Sequence, residues 1–208
     1  MKIYDFVGAP NPRRVRVFLA EKGINNVPFE QVNIATADNR KPDFLKINPM
    51  GGIPVLELDD GTHIAESVAI CRYFEDLKPE PNLMGEGYDE RAFIEMADRR
   101  VELHLFFGIA NCVRHTHPGL AVLEQPQFPD FGAAQGQKMR ETARWLDQTL
   151  ARQEFVAGAR FTIADITAFC ALEFGRGLMK FRPGPEGMEH LQAWRDRMAE
   201  RPGSARPA

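Results

Sequence analysis

A segment rich in proline and glycine, residues 78–88, separates two parts of the chain that differ in pattern. Short apolar runs typical of strands occur before this segment, and longer patterns with helical periodicity follow it. A change from mixed strands and helices to helices alone favours two domains. We therefore predict an α/β domain over residues 1–77, a linker over 78–88 and an all-α domain over 89–208.

The first domain is predicted to alternate strands and helices. Asn11 and Pro12 are expected to begin its first helix, because Asn is a favoured N-cap and Pro suits the first helical position. A turn at Asp59-Asp60-Gly61 lies between two short runs and indicates a β-hairpin. The predicted strands are 2–6, 27–34, 55–58 and 62–64, with a helical turn at 42–46 and a helix over 67–77.

The second domain is predicted to consist of helices joined by loops. Thr162 is placed as the N-cap of one helix, and Asp165 is placed to reach back to it as in a capping box. This motif is structural, and we assign it no catalytic role. Helices are predicted over 89–113, 135–152 and 188–199 and from residue 162 onward, with a loop over 125–132.

Composition and charge exclude several classes of partner. The hydrophobic content of 44% and charged content of 26% are ordinary for a soluble globular protein. A net charge of −3 gives no electrostatic reason to expect nucleic acid or an anionic membrane as a partner, and no apolar run is long enough to span a membrane. The N-terminus resembles a strand rather than a signal peptide. The scattered Cys71, Cys112 and Cys170 show no metal-binding spacing and predict reduced thiols in the cytoplasm.

Residues 47–67 combine features of a peptide-binding site. Pro54 begins a strand, where its missing N–H costs no ladder hydrogen bond. If the Ile53-Pro54 bond is cis, the N–H and C=O of Ile53 can pair with an extended peptide as a sheet edge would. Ser67 begins a helix whose N-terminus favours a carboxylate, and Glu66 is placed to receive an ammonium group. The alternative is an ordinary turn, strand start and helix cap.

These residues resemble the glutathione-binding half of the glutathione transferase family, and the resemblance extends along the whole chain. It implies a thioredoxin-like fold for the first domain, a helical second domain, glutathione as co-substrate, and no metal. In the family the residue before the cis-proline pairs with the cysteinyl backbone, and a Glu-Ser or Gln-Ser pair holds the γ-glutamyl end. Lys41 is the candidate for the glycyl carboxylate, and Gly52 offers only its backbone. The predicted glutathione site is Lys41, Gly52, Ile53, Pro54, Glu66 and Ser67.

The resemblance also implies a homodimer, in which the α/β domain of one subunit meets the long helix of the other. Asp98, Arg99 and Arg100 lie on the first predicted helix of the second domain and are candidates for such contacts. Asp98 is a candidate to reach the γ-glutamyl amine across that interface. The alternative is a solvated charged face.

The loop after the first strand lacks the group that activates the thiol in most of the family. A cysteine thiol has an ordinary pKa of about 8.5, so a transferase must stabilise the thiolate. Aligning Arg14-Val15 with the serine-type pattern places Ala9 at the serine, and Tyr4 lies too early for the tyrosine type. The chain is thus similar to the fungal and bacterial members that lack the usual Tyr, Ser or Cys.

Two residues are candidates to replace that group. Asn11 supplies an amide and a backbone N–H at a helix N-terminus, where Arg13 and Arg14 offer further N–H groups; alternatively, its amide caps its own helix. His115 is the second candidate, because in this group of transferases a histidine of the helical domain, acting through water, is the proposed stabiliser. The alternative is that His115 and His117 cap a helix end. We expect no zinc site from these two histidines, since no further ligands stand nearby.

The predicted function is conjugation of the glutathione thiolate to a small hydrophobic electrophile, as in detoxification. A ligand carrier that binds glutathione without useful catalysis is an alternative, and Ala9 favours it. A glutathione-dependent reductase or isomerase is another, although the absence of a loop cysteine disfavours disulfide exchange.

Helical spacing puts several polar and aromatic residues of the second domain on one face, namely His104, Phe107, Gly108, Asn111 and His115. The predicted electrophile pocket is Phe6, Phe107 and Asn111, beside His115.

Overall fold

The computed structural model describes residues 1–204 and contains two compact units. They divide between Pro81 and Asn82, inside the segment predicted as a linker. No helix formed by the described residues is both long and apolar enough to cross a membrane.

The first unit is a four-stranded mixed sheet with three α-helices, which confirms the predicted thioredoxin-like α/β class. The strand order is β2-β1-β3-β4, with β1 parallel to β2 and antiparallel to β3, and with β3 antiparallel to β4. The strands are β1 (Lys2–Asp5), β2 (Phe29–Gln31), β3 (Val55–Glu57) and β4 (His63–Ala65). The helices are α1 (Pro10–Glu21), α2 (Pro42–Ile47) and α3 (Ser67–Leu77).

The strand register gathers three chain segments at one edge of this sheet. Tyr4 lies opposite Val55, and Val55 lies opposite Ala65. The residues that follow β1, precede β3 and follow β4 therefore adjoin one another. Since α1 follows β1 and α3 follows β4 directly, both helices begin at this edge.

The start of α1 differs from the prediction. Its N-cap is Ala9, which is extended (φ −76°, ψ 138°), and the helix begins at Pro10 rather than after Asn11. Pro10 and Pro12 both fit the first turn, where a missing N–H removes no intrahelical hydrogen bond. The prediction of Asn11 as the N-cap was therefore wrong, because Pro10 takes the first helical position.

A buried lysine fixes the end of the first unit. The Lys22 ammonium donates to the carbonyl oxygens of Lys78, Pro79 and Pro81 at 2.7, 3.0 and 2.8 Å. Its Nζ also lies 2.5 Å from Oε2 of the buried Glu75. A buried charge needs such partners, and these contacts hold the chain where it leaves α3.

The second unit is built from helices, as predicted, and its described residues 82–204 form no β-strand. Buried alanines along one helix, including Ala164, Ala168 and Ala171, allow close packing in its core. The helices are α4 (Gly87–Arg100), α5 (Phe107–Thr116), α6 (Pro129–Leu150), α7 (Ile163–Leu178) and α8 (Glu189–Ala199).

Two features of the second unit depart from the prediction. A π-helical turn, Val101–Phe106, interrupts the helix predicted over 89–113. The predicted loop over 125–132 is shorter, because α6 already begins at Pro129, with Asp130 in its first turn. Gly132 lies inside this helix where α5 comes close, since a Cβ there would lie 2.7 Å from Cγ2 of Thr116.

The predicted capping box is present at the start of α7. The Thr162 N–H donates to Oδ2 of Asp165 at 3.0 Å. Asp165 is fully buried, and its Oδ1 accepts from the Val156 N–H at 2.9 Å and from Nε1 of Trp194 at 3.1 Å. One carboxylate thereby joins α7, α8 and the loop before α7.

Candidate functional site

The backbone of Ile53 is open at the sheet edge. The Ile53-Pro54 bond is cis, and the Ile53 side chain packs against the buried cluster of Tyr4, Phe44 and Val55. Within residues 1–204 neither its N–H nor its C=O makes a hydrogen bond. A side chain anchored in the core thus presents an unpaired backbone, which is what binding an extended peptide requires. The neighbouring carbonyl of Gly52 is occupied, since it accepts from Nδ2 of Asn48 at 2.9 Å.

The N-terminus of α3 offers donors for an anion. Ser67 Oγ accepts from Nη1 of Arg14 at 2.9 Å, and both side chains are buried. Within residues 1–204 the hydroxyl itself donates no hydrogen bond, so its hydrogen is available for donation. The first-turn N–H groups of the helix add to this, and in the described chain no side chain caps them.

Glu66 precedes this helix in a strained conformation. Its φ of 68° and ψ of 118° are uncommon for a residue other than glycine. The side chain is exposed and makes no capping hydrogen bond to α3. The carboxylate therefore remains available to a ligand cation beside the anion site of α3.

The first turn of α1 leaves one backbone donor. Pro10 and Pro12 carry no N–H, and the Arg13 N–H donates to the carbonyl of Ala9 at 3.2 Å. The Asn11 N–H is the remaining donor of this turn within the described chain. The Asn11 side chain is half-buried and does not cap the helix, so the alternative that it serves as its own N-cap was wrong. Ala9 presents only a methyl group.

Arg40 was not predicted from the sequence, and it lies beside the segment that precedes Ile53. Arg40 donates from Nη1 to the carbonyl of Met50 at 3.1 Å. The predicted Lys41 is largely exposed, and its Nζ lies 2.6 Å from Oδ1 of Asp38, an ion pair that lowers the pKa of the Asp38 carboxyl. Two adjacent basic residues were visible in the sequence, but the contact that distinguishes them depends on how the loop folds.

His115 has local partners in the second unit. Its Nδ1 accepts from the Phe128 N–H at 3.1 Å, and its ring meets Phe131 edge-on at 5.0 Å. Nε2, which carries the proton in the neutral ring, lies 3.9 Å from Oε1 of Glu124. His117 accepts at Nδ1 from the backbone of the turn that follows it. Both imidazoles thus organise the chain after α5.

The predicted polar and aromatic face of the long helix is divided. His104 lies inside the π-helical turn and Phe107 follows it, so α-helical spacing does not relate His104 to the residues of α5. Gly108 faces α6, because a Cβ there would lie 2.8 Å from Cβ of Met139. His104 lines an open groove of about 430 Å³ with Trp145. Phe107 is exposed and Asn111 is half-buried; Phe6 belongs to the first unit and is half-buried.

Asp98 has no exposed surface with which to reach a ligand, contrary to the prediction. It is fully buried and accepts from Oγ1 of Thr167 at 2.5 Å. Arg99 pairs with it and with Glu102.

In the part of the chain that the structure describes, no group of three or more His, Cys, Asp or Glu side chains is arranged to hold a metal ion.

Comparisons with known proteins identify matching families and structures. Residues 9–77 match the glutathione S-transferase N-terminal domain model, and residues 106–202 match the glutathione S-transferase C-terminal domain model. Glutathione S-transferase 2 of Saccharomyces cerevisiae is 39% identical over 204 residues, which cover 97% of this chain and 87% of the relative.

Two crystal structures are similar to this one over almost their full length. A glutathione S-transferase domain-containing protein of Marinobacter aquaeolei VT8 has a TM-score of 0.94 and 43% identity, covering 99% of this chain and 100% of the other. Gtt2 of Saccharomyces cerevisiae has a TM-score of 0.93 and 38% identity, covering 98% of each chain.

Proposed function

Because the chain belongs to the glutathione S-transferase family, we propose that it joins the thiolate of glutathione to an electrophilic carbon of a small hydrophobic compound. We propose a detoxifying role in the cytoplasm. The three cysteines support a reducing compartment, since they are buried and no disulfide bond forms among the described residues.

The observation that carries the proposal is the open backbone of Ile53 beside the uncapped N-terminus of α3. Ile53 would pair its N–H and C=O with the cysteinyl residue of glutathione. The Ser67 hydroxyl and the first N–H groups of α3 would hold the γ-glutamyl carboxylate, and Glu66 would accept its ammonium group. These groups adjoin through the strand register, so one bound tripeptide can reach all of them.

Asn11 is the residue that we propose to stabilise the thiolate. Lowering a thiol pKa by two units takes about 2.7 kcal/mol. Hydrogen bonds to a charged group contribute about 1.5–3 kcal/mol each, so the Asn11 N–H and side-chain amide suffice together. The thiolate then attacks the electrophilic carbon, a carbon–sulfur bond forms, and a leaving group such as chloride departs with its electron pair.

The helical unit supplies further candidates for the reaction. His115 remains a candidate to act on the thiolate through water, with its Nε2–H as the donor. Phe107 and Asn111 are the residues of this unit that we propose to contact the electrophile. Their half-buried or exposed side chains are available to a ligand.

Turnover tests the proposed reaction. We expect the purified protein to conjugate glutathione to a chlorinated aromatic compound faster than the uncatalysed reaction. An absence of any rate above background with several electrophiles of different chemistry would contradict the proposal. A matched assay with glutathione methylated at sulfur controls for reactions that do not use the thiol.

A ligand carrier is the second candidate, favoured by the methyl group at Ala9. It predicts glutathione binding without activation of the thiol. Ultraviolet difference titration of bound glutathione separates the two functions, because the thiolate absorbs near neutral pH only if its pKa is lowered. A bound thiol with an ordinary pKa and no turnover would support the carrier.

We also propose that two copies pair through an apolar stripe on the helical unit. Large hydrophobic side chains are exposed along α4 and the turns after it, and contiguous exposed apolar surface marks interaction sites. Sedimentation should give about twice the mass of one chain, and replacement of Phe93 by Glu should reduce it. A monomeric wild type would exclude this pairing. The stripe consists of Phe93, Met96 and Leu103.

A further inference from the structure

Side chains hold three consecutive carbonyls just before Ile53. The carbonyl oxygen of Met50 accepts from Nη1 of Arg40 at 3.1 Å. The Gly51 oxygen accepts from Nδ2 of Asn39 at 2.7 Å, and the Gly52 oxygen accepts from Nδ2 of Asn48 at 2.9 Å. Ile53 is the first residue of the run without such a partner in the described chain.

Asn39 is the buried link between two separate segments. It is only 5% exposed and lies in a 3₁₀ turn, Asp38–Arg40, twelve residues before its acceptor. Its Oδ1 is buried and has no hydrogen-bond partner within residues 1–204. The side chain therefore serves as a donor, and its amide hydrogen bond to Gly51 is shielded from water.

The acceptor lies in a stretch that needs an external restraint. Gly51 has a φ of +62°, and a Cβ there would lie 2.9 Å from both the Asn39 carbonyl oxygen and Nη1 of Arg40. Only glycine combines this conformation with so close an approach. Two successive glycines also leave the peptide planes before Ile53 free to rotate unless a partner holds them.

We propose that Asn39 is a positioning residue for glutathione. Its amide fixes the Gly51 carbonyl and with it the peptide planes that orient the N–H and C=O of Ile53. This inference rests on the proposed function. Asn39 acts through Ile53 rather than on the thiol, so its loss weakens glutathione binding and leaves the chemical step unchanged.

Asn39→Asp is the sharpest test, because it keeps the shape and replaces the donor by an oxygen. We expect the dissociation constant of glutathione and KM for glutathione to rise about tenfold, with kcat at saturating glutathione within about twofold. Asn33→Asp is the matched control. It makes the same charge change in a nearby exposed turn, where Asn33 uses only its oxygen to accept from the Ala35 N–H. We expect wild-type binding in this control.

A second ligand distinguishes positioning from a general structural effect. Glutathione methylated at the cysteinyl amide nitrogen cannot donate to the Ile53 carbonyl. We expect it to bind the wild type more weakly than glutathione does, and Asn39→Asp to weaken it less than it weakens glutathione. Equal losses for both ligands, or a fall in kcat alone, would overturn the inference.

Folding and the proposed function are controlled separately. Circular dichroism establishes that each variant is folded; if Asn39→Asp is not, Asn39→Ala removes the donor without adding charge and takes the same tests. Failure of the wild type to bind glutathione would overturn the proposed function. If the wild type binds glutathione and Asn39→Asp binds it as tightly as the control Asn33→Asp, the role of Asn39 would be overturned while the proposed function would stand.

Discussion

At the scale of single residues, the proposed activation of the thiol depends on which hydrogen-bond donors lie near Ala9, the position that aligns with the serine of the serine-type pattern. Because proline has no N–H, the candidate donors to the thiolate in this loop are Asn11 and the arginines that follow Pro12. The structure narrows them further, since the Arg13 N–H is used by the Ala9 carbonyl. That hydrogen bond depends on where α1 begins. The sequence offers both Pro10 and the pair Asn11-Pro12 as possible starts, so it does not predict this bond.

Replacement of Asn11 by Ala should raise the pKa of bound glutathione by about one unit. The variant keeps the backbone N–H and loses one charge-assisted hydrogen bond of about 1.5 kcal/mol. Ultraviolet difference titration of the complex measures this pKa. His115→Ala is the comparison, and we expect the smaller change, because its Nε2–H would act on the thiolate only through water, with Nδ1 bonded to the Phe128 N–H. A shift in the His115 variant alone would transfer the role to that residue.

Replacement of Arg40 by Ala should weaken glutathione binding about tenfold, and Lys41→Ala should change it less than twofold. Arg40 contacts the segment before Ile53, whereas Lys41 is paired with Asp38. Calorimetry measures both. γ-Glutamylcysteine lacks the glycyl carboxylate but keeps the cysteinyl residue that pairs with Ile53, so Arg40→Ala should weaken its binding as much as that of glutathione. A larger loss of binding in Lys41→Ala than in Arg40→Ala would contradict this prediction and support Lys41 as the residue that holds the glycyl carboxylate.

At the scale of elements, local signals placed α3 well and misplaced α6. The predicted bounds of α3 were 67–77, the range observed. For α6, Gly132 was interpreted as part of a loop, although glycine there permits a close approach of α5. The partner helix that makes glycine suitable is distant in sequence. The π-helical turn was missed because periodicity was read with one spacing throughout.

Replacement of Gly108 by Ala should destabilise the second unit by about 1–3 kcal/mol. The added Cβ would meet Met139 at its Cβ, close to the backbone, so α5 and α6 must separate. Denaturant unfolding measures the free energy of unfolding. Gly177→Ala in α7 is the control, since no atom lies within 4 Å of its added Cβ. Helix propensity predicts that this control is stabilised by up to about 1 kcal/mol. Equal effects of the two changes would contradict the close packing.

At the scale of the whole molecule, the change of pattern around residues 78–88 is visible in the sequence and predicts two domains directly. The contacts that make each unit compact could not be predicted in this way, because they join residues far apart in sequence. Lys22 pairs with carbonyls near residue 80, and Asp165 pairs with Trp194. Both tryptophans of the chain, Trp145 and Trp194, lie in the second unit, so tryptophan fluorescence reports the unfolding of that unit.

The Asp165 network predicts how this unfolding depends on pH. Burial raises the pKa of the Asp165 carboxyl from 3.8 to about 6, against hydrogen bonds from Val156, Thr162 and Trp194 that lower it. The folded state then binds a proton more tightly than the unfolded state. The resulting stabilisation is fully present below pH 3.8 and is lost as the pH rises through about 6.

Asp165→Asn removes this titration and should weaken the capping box at every pH, because its amide cannot accept from the Thr162 N–H as Oδ2 does. The free energy of unfolding of the wild type should exceed that of the variant by a margin that is about 1 kcal/mol larger at pH 5 than at pH 7. Denaturant unfolding followed by tryptophan fluorescence at both pH values measures it. A difference that is constant, or larger at pH 7, would show that the hydrogen bonds to the carboxylate outweigh its burial.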